Sequence, residues 1–210
     1  MHSIRFHQQD IYPSKIVCIG RNYVEHIHEL GNTVPEDMVV FLKPNSALSS
    51  ILHAKHNEPL HFEAELAFLY QQGKFTAVAA GLDLTKRGLQ SQLKAQGLPW
   101  ERAKAFDGSA LFSEFVAITD TTSDGTDIIE ELSISLYIDN VLQQQGGVAM
   151  MMYSPKDILQ QLSQFMTLMD GDIVMTGTPK GVGRVVSGKC YKATVSRQGE
   201  ILVSHSWEAG

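Results

Sequence analysis

The apolar residues of this chain come in short runs, and each run is stopped by residues that break regular structure. Ile16-Val17-Cys18-Ile19 ends at Gly20, and the run over residues 38–42 is cut by Lys43-Pro44-Asn45. A run over residues 60–70 stops at Gln71-Gln72-Gly73-Lys74, and runs over residues 76–84 and 110–118 follow. Short apolar runs bounded by turn residues predict strands. Between Ser133 and Asp139 the alternation is strict, with Ile134, Leu136 and Ile138 on one face and Ser133, Ser135, Tyr137 and Asp139 on the other. That pattern predicts a half-exposed strand turning at Asp139-Asn140. Residues 172–175 predict another strand, and residues 192–195 and 201–205 a closing hairpin.

Helical signals are fewer. Residues 21–30 predict a short helix closed by Gly31-Asn32, and residues 85–97 a second, with Leu89 and Leu93 four apart and Gly97 beyond. Ser154-Pro155 opens the clearest helix, with Asp157 near its positive end and Ile158, Leu159, Leu162, Phe165 and Met166 as its buried stripe. The polar stretch over residues 119–127 is too short to separate two domains. The pattern predicts a single α+β domain over residues 1–210, with a mostly antiparallel or mixed β core and few short helices.

Charge narrows the partners. Lys plus Arg number 17 against 23 Asp plus Glu, a formal net charge of −6, so the chain lacks the basic balance expected of a nucleic-acid binder. No run approaches the ~18 apolar residues of a membrane span, and residues 1–10 lack the apolar centre of a secretory signal. Of the two cysteines, Cys18 sits in an apolar run and predicts a buried reduced thiol. The expectation is a cytoplasmic protein with no membrane or nucleic-acid partner.

Four features carry chemistry. On a strand, Glu63 and Glu65 project from one face with His61, and two close carboxylates either share a hard cation such as Mg²⁺ or Mn²⁺ or form a solvated face. Asp83 lies among apolar residues and needs a hydrogen-bond or metal partner, unless it caps the helix that follows. His26 and Glu29, three apart on a helix, form either a base pair for proton transfer or two surface residues. Thr176-Gly177-Thr178-Pro179-Lys180-Gly181-Val182-Gly183 presents N–H and hydroxyl groups to an anion, or is a tight turn; it lacks the spacing of a nucleotide P-loop.

These features recur in a recognisable order. Gly20-Arg21-Asn22-Tyr23, Phe41-Leu42-Lys43-Pro44, Glu63-Ala64-Glu65-Leu66-Ala67, Leu82-Asp83-Leu84-Thr85, Gly97-Leu98-Pro99-Trp100, Ala103-Lys104-Ala105-Phe106-Asp107 and the 176–183 segment follow one another along the chain. In this the sequence resembles the fumarylacetoacetate hydrolase (FAH) superfamily, in its small one-domain branch of acylpyruvate hydrolases and oxaloacetate decarboxylases. The resemblance implies a β-rich FAH-type fold around a mixed roll or barrel, and a homodimer. It implies that Glu63, Glu65 and Asp83 bind one Mg²⁺ or Mn²⁺, and that Lys104 stabilises a developing enolate. Lys43, Arg87, Gln90 and Thr178 would hold a 2-oxo acid substrate, and His26 with Glu29 would activate water. The implied reaction is C–C hydrolysis of a short acylpyruvate. Oxaloacetate decarboxylation or keto–enol tautomerisation on the same site is the alternative, and a non-catalytic metal-binding oligomer the rival of another class. Two departures stand out. Gly88 replaces an aspartate usual after the arginine, and the connection between Glu65 and Asp83 is short, bridged by residues 71–76.

Overall fold

The two longest apolar runs are the arms of one hairpin. In the computed structural model, which describes residues 1–31, 33–118 and 128–210, strand Ala64–Gln71 pairs antiparallel with Lys74–Asp83. Gln72 and Gly73 both have positive φ, at 53° and 84°, so the arms join through the left-handed two-residue turn that matches strand twist. This tight turn is the physical content of the short connection between Glu65 and Asp83.

The hairpin lies within a seven-stranded sheet. Its strand order is Ala110–Phe112, Lys74–Asp83, Ala64–Gln71, Ile173–Met175, Lys15–Gly20 and Val39–Pro44, with Val116–Ala117 also paired to Lys74–Asp83. Every pairing is antiparallel except Ile173–Met175 with Lys15–Gly20, so the sheet is mixed as expected. Both faces are buried. Val17, Leu66, Phe68, Val78 and Leu82 pack into one core, while Ile16, Cys18, Ala67, Leu69, Ala77 and Ala79 pack into a second. Burial on both sides explains why these strands read as continuous apolar runs.

A second, four-stranded antiparallel sheet covers the first core. It orders Val141–Gly147, Leu132–Ile138, Cys190–Arg197 and Glu200–Glu208. Leu132, Ile134 and Leu136 are buried and the serines between them are half-buried, as the alternation predicts. Asp139 and Asn140 make the expected turn, with φ of 48° and 67°.

Four α-helices are described, all short: α1 (Val24–Glu29), α2 (Arg87–Ala95), α3 (Glu101–Lys104) and α4 (Pro155–Leu162). The first is shorter than residues 21–30, because Arg21 has φ of +57° and Tyr23 is extended, which delays the start. Gly31 has the positive φ expected beyond α1, while its neighbour in the closing signal, Asn32, lies outside the described residues, as does the 119–127 stretch. In α4, Ser154 Oγ accepts from Asp157 N and Asp157 Oδ2 accepts from Ser154 N, a reciprocal cap. Ile158 and Leu162 are buried as expected, but the helix ends at Leu162 and Phe165 is exposed. The helical period was carried one turn too far. Helix α3 was not expected at all.

The parallel strand pair is pinned by one carboxylate. Asp172 accepts from Ser14 N (3.1 Å), Ser14 Oγ (2.6 Å), Lys15 N (3.2 Å) and Met169 N (2.8 Å), and pairs with Lys15 Nζ. Burial alone raises its pKa, but the Lys15 ammonium, the Met169 N–H and the Ser14 hydroxyl outweigh that and hold it below the usual range. A depressed carboxyl contributes stability that is present above its unfolded value of ~3.9 and is lost as pH falls through the lower folded value. Asp172→Asn is expected to cost about 3 kcal/mol in urea unfolding at pH 7. That difference should shrink towards acid pH.

Candidate active site

Hairpin register brings the carboxylates together. Glu65 lies opposite Gly81, and Asp83 N donates to Glu63 O at 2.8 Å, so Glu63, Glu65 and Asp83 meet at one end of the sheet. One carboxylate oxygen from each lies within 4.8 Å of the other two, and all three residues are buried. The face they share is lined by small residues, including Ala67, Ala79 and Gly81. A Cβ at Gly81 would meet Met175 Cε and Phe112 Cε1, each at 3.0 Å.

Three buried carboxylates need cations. Lys104, carried in by α3, donates to Glu63 Oε2 (2.9 Å), Asp83 Oδ2 (2.6 Å) and Thr85 Oγ1 (2.7 Å). Arg87, at the start of α2, pairs with Glu63 Oε1 and donates to Gln90 Oε1 at 2.8 Å. Burial pushes Glu63 up, but Lys104 and Arg87 outweigh it and hold the carboxyl well below the usual range. Glu65 goes the other way. Burial, then Asp83 and Glu63, raise it well above the usual range against Lys104 and the Gly177 N–H. Burial lowers Lys104, but Asp83 and Glu63 more than reverse this, so its ammonium is held charged.

The 176–183 loop does present N–H groups to anions, and the anions are the protein's own. Gly177 N donates to Glu65 Oε2 at 2.7 Å. Gly177 has φ of +94°, and a Cβ there would meet Asn22 Cβ at 2.9 Å and Ile19 O at 3.1 Å, so only glycine fits. Gly181 N donates to Glu29 Oε1 and Oε2 at 3.0 and 3.1 Å. Through Glu29, this contact ties α1 down on the loop. Glu29 Oε2 lies 3.2 Å from His26 Nδ1, and His26 is buried.

A narrow cleft opens here. It is lined by nine of the residues around the carboxylates and the loop and by Arg21, Phe41, Lys94 and Trp100 among others. The expected residues His26, Glu63, Glu65, Asp83, Arg87, Gln90, Lys104 and Thr178 all line it. Lys43 does not. It is fully buried behind Asp83, 2.9 Å from Oδ1, and donates to Ser109 O, Ser109 Oγ and Lys104 O. Its position suits it to orient Asp83 and Lys104 rather than to meet a substrate. The Thr178 hydroxyl donates to Ala64 O (2.8 Å) and accepts from Gln144 Nε2 (2.8 Å), so it shapes the wall. Sequence reasoning gave no site role to Arg21, Lys94 and Trp100, although Arg21 and Trp100 lie in motifs that carry the resemblance.

The glycine at position 88 also finds an explanation. Glu58, from the turn Lys55–His56 to Glu58–Pro59, places Oε1 3.4 Å from Leu89 N and 3.5 Å from where a Gly88 Cβ would stand. A carboxylate from another strand thus covers the first turn of α2, where the helix dipole favours one.

The donor set fits a hard divalent ion: three oxygen ligands converge in a buried site, and Mg²⁺ and Mn²⁺ both accept such ligands.

Comparison with known proteins agrees with this geometry. The fumarylacetoacetate (FAA) hydrolase C-terminal family matches residues 15–206. Oxaloacetate tautomerase YcgM of Escherichia coli K12 is 36% identical over 214 residues, covering 92% of this chain and 93% of its own. The mitochondrial oxaloacetate tautomerase FAHD2 of rice is 37% identical over 204 residues, covering 87% of each chain. The crystal structure of fumarylpyruvate hydrolase from Pseudomonas aeruginosa, in complex with Mn²⁺ and pyruvate, superposes with a TM-score of 0.84 at 28% identity, covering 99% of this chain and 94% of that one.

Because Glu65 is crowded by two like charges, Glu65→Gln is expected to stabilise the metal-free protein while weakening Mg²⁺ and Mn²⁺. A raised carboxyl contributes stability that is present below its unfolded value and lost as pH climbs through the folded one. The gain from the substitution should therefore grow with pH, reaching roughly 1 kcal/mol, or ~2–4 °C in Tm for a chain of this size. Metal affinity should fall by more than the ~10–100-fold typical of outer partners. Thermal scans with and without metal, over a range of pH, read both effects.

Proposed function

The chain belongs to the fumarylacetoacetate hydrolase family, and from that premise we propose that it is a metal-dependent enzyme of short 2-oxo acids whose reaction is keto–enol tautomerisation of oxaloacetate. The observation that carries this reading is a buried carboxylate triad, a buried lysine bonded to two of its members, and a histidine, all on one cleft, with Glu29 against the histidine. The relatives named for this reaction support it. A Mg²⁺ or Mn²⁺ ion held by Glu63, Glu65 and Asp83 would supply Lewis-acid polarisation of the 2-oxo group.

The chain's own residues supply the rest. Lys104 stays charged, so it serves as a fixed positive charge beside the enolate oxygen and not as a base. An ionised Glu29 only accepts hydrogen bonds, so His26 Nδ1 must carry the proton between them. That leaves the Nε2 lone pair to take a proton from C3 of the keto form, which then goes to the 2-oxygen to give the enol, and to run the same transfer in reverse. Arg87 and Gln90 present their donors to the carboxylate next to the 2-oxo group.

A second reading is C–C hydrolysis of a short acylpyruvate, with His26 Nε2 taking its proton from water. The His26–Glu29 pair and the likeness to a fumarylpyruvate hydrolase favour it. Decarboxylation of oxaloacetate needs the same enolate stabilisation but no base. The family resemblance further supports a homodimer.

The test follows the decay of freshly dissolved enol-oxaloacetate by its ultraviolet absorbance, with acetylpyruvate cleavage and oxaloacetate decarboxylation measured beside it. Chelator should abolish enol conversion, and Mg²⁺ or Mn²⁺ should restore it. His26→Ala should lower tautomerisation by the ~10²–10⁴-fold of general acid–base catalysis while leaving decarboxylation much less affected. Acetylpyruvate cleavage far faster than enol conversion would put the second reading first. A flat response to every acid would make the protein a non-catalytic metal binder.

A further inference from the structure

Three glutamines follow one another on strand Val141–Gly147, and of these Gln144 alone is buried, while Gln143 and Gln145 are exposed. Leu136 lies opposite Gln144 and Tyr137 opposite Leu142, so Gln143 is the extra residue of a β-bulge, a device that re-aims side chains. The 176–183 loop lies directly on this strand. A Cβ at Gly146 would meet Pro179 Cβ at 2.8 Å, and one at Gly181 would meet Gln143 O at 2.2 Å.

The buried amide meets the carboxylate strand at one residue. Ala64 N, between Glu63 and Glu65, donates to Gln144 Oε1 at 3.0 Å. Gln144 Nε2 donates to Thr178 Oγ1 and to Pro179 O, each at 2.8 Å. Thr178 Oγ1 in turn donates to Ala64 O at 2.8 Å, which closes a ring of hydrogen bonds. The topology explains why side chains do this work. Strand Ile173–Met175 runs beside Ala64–Gln71 only as far as Ala67, and Thr176 then donates to Leu66 O. Ala64 lies past that end, and the Gln144 amide stands in for the peptide of a neighbouring strand, satisfying buried backbone groups. The other edge is held as well, since Asp83 N donates to Glu63 O. Glu63 and Glu65 leave the strand on either side of Ala64, on the opposite face, so the ring fixes their separation and tilt.

We infer that Gln144 is a positioning residue of the carboxylate site: by locking the backbone between Glu63 and Glu65, it holds the triad to the size of a small octahedral cation and sets a preference for Mg²⁺ or Mn²⁺ over Ca²⁺. The assignment rests on the reading of the triad as a metal site. Mg²⁺ demands near-ideal octahedral geometry at ~2.0–2.1 Å, whereas Ca²⁺ accepts irregular geometry at ~2.3–2.6 Å. Two glutamates left free to drift lose the first ion before the second. Gln144 acts through Ala64 and Thr178, and its amide is spent on them and on Pro179.

The experiment titrates Mg²⁺ or Ca²⁺ against Mn²⁺ bound to the full chain, with free Mn²⁺ read by electron paramagnetic resonance, and so gives a dissociation constant for each ion without turnover. The wild type should prefer Mg²⁺ to Ca²⁺. Gln144→Met keeps the length of the side chain and loses its hydrogen bonds. It should weaken Mg²⁺ by the ~10–100-fold typical of residues that orient metal ligands, and Ca²⁺ by only a few-fold. Gln145→Ala, on the exposed side of the strand, should leave both constants unchanged. A residue that merely stabilises the fold would lower the melting temperature without moving the ratio of the two constants. If Gln144→Met does not fold, Thr178→Val takes its place, because it removes the hydroxyl from the same ring and should shift the ratio the same way. An unchanged ratio in the folded variant, an equal shift in Gln145→Ala, or a wild type that shows no preference for Mg²⁺ overturns the assignment and leaves the metal site standing. A wild type that binds none of the three ions overturns both.

Discussion

Three carboxylates buried within 4.8 Å of one another form the constraint around which the rest of this molecule is arranged. Buried like charges repel strongly and must be matched by cations or hydrogen-bond donors. Each nearby element supplies one. Helix α3 brings Lys104, α2 brings Arg87, strand Val39–Pro44 brings Lys43 from behind, and the loop after Ile173–Met175 brings the Gly177 N–H. The unequal share they give explains why Glu63 is held charged while Glu65 is pushed towards its neutral form. A divalent ion is the group that would relieve Glu65.

The same logic links α1 to the 176–183 loop. Glu29 accepts from Gly181 N and lies against His26 Nδ1. One carboxylate therefore ties α1 to the loop and lies against the cleft-lining histidine. In the proposed reactions His26 Nε2 would take its proton from carbon for tautomerisation, or from water for hydrolysis, which also breaks a C–C bond. Relatives of one family carry different activities in their names, a tautomerase and a fumarylpyruvate hydrolase, as expected where one fold hosts several chemistries.

Much of this was legible in the sequence where the signal is local. The alternation of residues 133–139, the Ser154 cap with Asp157 three residues on, and the Glu63-Ala64-Glu65 pair each announce their geometry within a few residues. The order of motifs along the chain carried the family, and with it the link from Asp83 to the glutamates. What stayed hidden depends on distance in sequence. The tight turn at Gln72-Gly73 sets the register that puts Asp83 beside Glu63. Lys43 matched a substrate-binding position, but packing places its ammonium behind Asp83. Helix α3 is too short to show a period, so the route that brings Lys104 and Trp100 to the cleft could not be read in advance.

The central claim is that the carboxylate triad and Lys104 together make a metal site built to receive an enolate. Oxalate is a stable planar mimic of the pyruvate enolate, so the most direct measurement is the Mn²⁺ dissociation constant with and without oxalate, in the wild type and in Lys104→Met. By linkage, two ligands that favour one another tighten each other's binding by the same factor. The account predicts that oxalate tightens Mn²⁺ in the wild type, and that Lys104→Met abolishes this coupling while still binding the metal. Mn²⁺ binding that ignores oxalate, or coupling that survives loss of the lysine, would contradict it.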